Sequence, residues 1–118
     1  MTLLKPGLIA LVAMLAAPAV ADDPDASGRE PAQALAESRL HGCLLAGSTA
    51  APDTGLRDAI ISVRAFCGAQ LNRVRDLRVE SATAGLRGAQ ADAARDQAIR
   101  GLNDEIARTI ANFTGLTD

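Results

Sequence analysis

The stretch RAFCGAQ, residues 64–70, places one cysteine inside a long apolar-periodic segment, and the use of its sulfur decides the fold. Advancing 100° per residue from residue 54 to about 82 gathers Leu56, Ile60, Val63, Cys67, Gln70, Leu71, Val74 and Leu77, with Ala59 and Phe66, into one broad arc. That pattern predicts a helix over 54–82, capped at its start by Asp53 or Thr54, with Cys67 facing the core. The only other cysteine, Cys43, falls on the apolar side of a shorter helix predicted over 31–46, where Leu35, Ala36, Leu40, Cys43 and Leu44 recur at spacings of three and four. Two sulfurs on facing apolar stripes predict a Cys43–Cys67 disulfide.

The compartment is read from the start of the chain. Lys5, an apolar run over residues 8–17 and the small residues of Ala19-Val20-Ala21 form the pattern of a secretory signal over 1–21, with cleavage after Ala21. The run is too short to cross about 30 Å of hydrocarbon as a helix, so no stable membrane insertion is expected after cleavage. The expected location is the periplasm or the outside of the cell, where an even pair of cysteines is normally oxidised. The disulfide is also wanted energetically: Leu, Ile, Val and Phe supply only about a fifth of residues 22–118, near the composition at which chains stop folding alone. Closing a loop of about 25 residues stabilises by roughly 3 kcal/mol on the chain-entropy model.

Residues 22–30, DDPDASGRE, are acidic, punctuated by Pro24 and Gly28 and without apolar period; they read as a flexible acidic tail ahead of a single helical domain over 31–118. Pro31 suits a first helical turn, Gly47 and Pro52 read as the stop of the first helix, and Gly85 and Gly88 separate the second from a third over about 86–113. Ile99, Leu102, Ile106, Ile110 and Phe113 stripe the latter half of that third helix. The expected fold is all-α: a short helix and a long antiparallel hairpin joined by one disulfide. A first helix of about 24 Å covers only half of the hairpin, leaving an alanine-rich two-helix extension over about 74–95.

Charge and composition narrow the function. Without Lys5 the chain carries eleven arginines against fourteen acids, a net charge of −3 that draws neither nucleic acid nor anionic lipid as a whole. No Trp or Tyr is present, so base-stacking platforms are absent. His41 lies two residues from Cys43, about 200° away on a helix, so the two do not share a metal, and neither metal nor cofactor is expected. No nucleophile elbow, phosphate loop or metal-ligand set occurs, and the carboxylates of Asp92, Asp96, Asp104 and Glu105 sit on surface helices; an enzyme is not expected.

Arg57, Arg64, Arg75 and Arg78 fall within about 60° of one another beside the apolar arc, with no acid three or four residues away in the same helix. They form a candidate edge for an acidic protein or an anionic envelope component, unless acids of the third helix such as Asp92, Asp96, Asp104 or Glu105 take them up. The alanine- and glycine-rich hairpin tip is a second candidate contact, with a homodimer as one use. LRGAQ, residues 86–90, resembles in part the Leu-Thr-x-x-Gln motif of helical periplasmic stress chaperones; it departs at the second position and occurs once, so no site is carried over. The expected function is that of a small exported non-catalytic binding protein. The alternative is a periplasmic chaperone or stress adaptor, and a further one is an enzyme of unrecognised type.

Overall fold

A computed structural model describes residues 24–117. The signal segment and the cleavage site lie outside the described residues. Within them the chain is all-α with four helices: α1 Pro24–Ala50, α2 Leu56–Phe66, α3 Gly68–Thr83 and α4 Gly88–Thr114. The disulfide is formed between Cys43 and Cys67, with Cα atoms 5.8 Å apart. Helices α2 and α3 meet at Cys67, and each packs against both α1 and α4.

The second predicted helix is two. At Cys67 the backbone turns to φ −99°, ψ 18°, while its N–H still reaches Val63 O at 2.9 Å and its carbonyl accepts from Leu71 N–H at 2.9 Å. The interruption is therefore one residue wide. Gly68, the next residue, has little intrinsic preference for a helix interior, so the ladder is weakest where the sulfur is tied to α1. Helix α2 starts at Gly55 without a side-chain cap; the Thr54 hydroxyl donates instead to the Asp58 carboxylate at 2.8 Å.

The first helix is longer at both ends than its sequence pattern indicates. It begins at Pro24, so residues 24–30, read as part of a flexible tail, are helical, and Pro31 lies inside the helix. Partners on α3 reward that extension: Arg29 pairs with Glu80 at 3.6 Å, and the Ser81 hydroxyl donates to Gln33 Oε1 at 3.2 Å. Twenty-seven residues of helix span about 40 Å, so α1 follows α3 almost to its end, and the distal region is a three-helix segment instead of a two-helix extension.

Gly47 does not stop the helix; it lets α1 approach α2. It is buried, and a Cβ at that position would lie 3.1 Å from Phe66 Cδ1 and 3.2 Å from Val63 Cγ1. Gly42, one and a half turns earlier and exposed, faces open space. The two glycines predict opposite responses in thermal or denaturant unfolding. Gly42→Ala stabilises by about 0.5–1 kcal/mol through helix propensity, whereas Gly47→Val forces the helices apart and destabilises by about 2 kcal/mol.

The core runs along the three rods: Ala36, Leu40 and Leu44 of α1; Ala59 and Val63 of α2; Cys67; Leu71, Val74 and Leu77 of α3; Leu102, Ile106 and Ile110 of α4. Leu35 and Phe66, assigned to the apolar arcs by spacing, are instead 51% and 66% exposed. Helix α4 has no buried residue before Leu102, so its first half rests on half-buried Ala91, Ala94 and Ala98. The turn before it passes through Gly85 at φ 74° and Gly88 at φ 57°, values that L side chains avoid, which fixes the hairpin tip at glycine.

Candidate functional site

The four candidate arginines do not form one free edge. Arg78, on α3, is half-buried, and its guanidinium is held from two sides. Nε and Nη2 donate to both oxygens of Glu37 on α1, at 2.7 and 2.8 Å, and Nη1 and Nη2 donate to Glu105 on α4, at 2.6 and 3.2 Å. One side chain thus ties three helices. The paired carboxylates raise the Arg78 pKa above its already high value, hydrogen bonding foremost, with Glu37 ahead of Glu105. The Glu105 carboxyl is held below the usual carboxylate range by the hydrogen bond from Arg78. Arg78 therefore leaves the partner-binding set.

The sequence names Glu105 among the acids of the third helix as a taker but not Glu37, because the first helix is expected to stop short of the extension over about 74–95 that carries Arg78. Arg78→Ala is expected to cost about 1–3 kcal/mol by leaving two carboxylates facing each other, and Arg78→Lys to recover little of it, since an ammonium does not reproduce the fork. Glu105 is more than half exposed, so Glu105→Gln costs only about 0.5 kcal/mol. With a depressed folded-state pKa, that cost is full above the ordinary carboxylate pKa and vanishes as pH falls through the folded value. Denaturant titrations of wild type and variant at neutral and acid pH check the sign.

The remaining three arginines differ in their neighbours. Arg75 contacts its neighbour Asp76 at 3.4 Å. Arg64 donates to Asn103 Oδ1 at 3.1 Å, a neutral acceptor that positions the guanidinium without neutralising it. Arg57 is exposed and meets no carboxylate among the described residues. Arg57 and Arg64 are seven residues apart on α2 and so share a face. They are what remains of the arginine edge.

His41 is exposed and sets its ring edge-on to Phe113, centroids 5.3 Å apart, consistent with a surface packing role. Among the described residues no group of three or more His, Cys, Asp or Glu is arranged to hold a metal, and no helix is long and apolar enough to cross a membrane.

A second feature, which spacing did not single out, is a groove of about 300 Å³ between α1 and α3. Leu35, Ala36 and Arg39 form one wall, and Ala69, Gln70 and Arg73 the other. Arg39 and Arg73 are both exposed and make no ion pair among the described residues. The sequence signal for it was present in Leu35, whose apolar side chain the spacing places in the core and helix packing leaves outside.

Compared with protein-family models, with curated proteins and with solved structures, the chain matches none.

Proposed function

We propose that this protein is a small exported, non-catalytic binding protein whose disulfide-clamped bundle presents arginines to an anionic partner, either an acidic protein or an anionic envelope component. The observation that carries this reading is the pair Arg57 and Arg64: two guanidiniums on one face of α2, one unpaired among the described residues and the other held by a neutral amide. A guanidinium held but not neutralised is pre-organised for a carboxylate or phosphate, because less side-chain freedom is lost when the anion arrives. The disulfide fits an oxidising compartment, where the bundle would work after removal of residues 1–21.

The test is retention on immobilised polyglutamate and on phosphatidylglycerol vesicles. Wild type is expected to bind at least one of them, with the Arg57→Glu/Arg64→Glu variant weakened about tenfold or more at equal stability. Equal retention of the two proteins, or retention of neither, removes the arginine reading.

A second reading, a chaperone or stress adaptor, is favoured by the exposed Leu35, Leu45, Ile61, Phe66 and Leu86. Substoichiometric suppression of client aggregation, unaffected by Arg57→Glu/Arg64→Glu, would select it.

A further inference from the structure

We propose that the groove between α1 and α3 is a docking surface for a short amphipathic helix of a partner protein, apolar along one stripe and acidic on both flanks. The inference is independent of the Arg57 and Arg64 edge.

The walls have helical regularity. On α1, Ala32, Leu35, Ala36 and Arg39 follow the i, i+3, i+4, i+7 pattern of one helix face. On the facing wall, Ala69, Gln70 and Arg73 lie on one face of α3 at spacings of i, i+1 and i+4. From Ala32 to Arg39 the α1 wall runs about 10 Å, or roughly two helical turns. Leu35, 51% exposed, stands along it, and the floor is alanine. Small floor residues admit the ridge of another helix, which makes this the helix-in-groove mode of recognition.

Charge complementarity selects the occupant. Arg39 stands at the end of the α1 wall and Arg73 on the opposite wall, and neither has a carboxylate among the described residues. Two guanidiniums on opposite walls of an apolar trough call for two carboxylates flanking an apolar stripe. A fatty acid has one carboxylate, at its end. A second copy docking by a two-fold axis on this groove would set Arg39 and Arg73 against their own copies, a like-charge contact that opposes association.

The probe is a synthetic helix-forming peptide of about 18 residues with Leu at i, i+4, i+7 and i+11 and Glu on both flanks; the control carries Lys in place of Glu. Binding is followed by titration of backbone amide shifts in the oxidised protein. The expected result is saturable shifts at Leu35, Ala36, Ala69 and Gln70, with affinity reduced about tenfold or more for the Lys peptide and for the Arg39→Glu/Arg73→Glu variant, and restored when that variant meets the Lys peptide. The Arg57→Glu/Arg64→Glu variant is expected to bind the Glu peptide as wild type does, which separates this surface from the edge on α2. Absence of shifts at the groove residues, equal binding of the two peptides in the groove, groove shifts produced by palmitate but not by the Glu peptide, or dimerisation through this face overturns the proposal.

Discussion

The variant Cys43→Ala/Cys67→Ala loses about 3 kcal/mol of stability, and its midpoint of thermal unfolding falls by roughly 12–24 °C. The two cysteines are 24 positions apart in sequence, so removing the bond releases a loop whose closure the unfolded chain no longer has to satisfy. The loss is severe for this chain in particular. Among the described residues its buried apolar core holds twelve, two of them alanine and one cysteine, and a small domain has only about 5–15 kcal/mol in hand. Cys67 is fully buried, so alanine there also leaves a small void beside Val63 and Leu71. Reduction of the wild type should reproduce most of the effect without the void. Differential scanning calorimetry of oxidised, reduced and doubly substituted protein separates the two contributions. A midpoint unchanged by either treatment would mean that the helices hold without the bond.

The second large effect is expected on α4. Ile106 is 1% exposed and sits in the middle of that helix's three buried residues, Leu102, Ile106 and Ile110. Ile106→Ala should cost about 3–4 kcal/mol, the transfer free energy of the removed methyls together with the cavity they leave. Two turns toward the hairpin tip, Ile99 is only half-buried, and Ile99→Ala should cost about 1 kcal/mol. The gradient between them reports how unevenly the bundle is anchored. Residues 88–101 of α4 bury no large side chain, so their amides should exchange with solvent through local opening, while those around Ile106 and Ile110 open only with the whole domain. Equal costs at the two isoleucines, or uniform exchange along α4, would contradict that picture.

The features legible in the sequence were those carried by repetition. Helical period placed Leu40, Leu44, Val63, Val74, Leu102, Ile106 and Ile110 correctly in the core, and an even pair of cysteines on facing stripes gave the disulfide. What escaped was settled by contacts between helices. Pro31 reads as a helix start because proline is tolerated there, yet α1 runs through it, and Arg29 and Gln33 find partners on α3. Gly47 reads as a helix stop, yet it is the point where α1 and α2 come closest, a role invisible without the facing Val63. The split at Cys67 had only Gly68 as its local signal, too little to break a pattern apolar on both sides.

The candidate site followed the same division. The clustering of Arg57, Arg64, Arg75 and Arg78 on one flank was readable from the wheel, but which of them would be consumed was not. Arg78 is removed by Glu37 and Glu105, two carboxylates 68 positions apart that meet only because α1 and α4 pack side by side. Arg64 is held by Asn103, also from α4. The groove carrying Arg39 and Arg73 lay hidden because a one-helix projection assigns Leu35 to the interior.

All of these surfaces depend on one covalent fact, that Cys43 and Cys67 are joined and hold α1 against the junction of α2 and α3. The measurement that reaches it most directly is intact-mass spectrometry of the protein, alkylated under denaturing conditions without reductant. The account predicts a product two hydrogens lighter than the dithiol with no alkyl group added, and a single crosslinked peptide containing Cys43 and Cys67 after digestion. Two alkyl groups on the unreduced protein would contradict it.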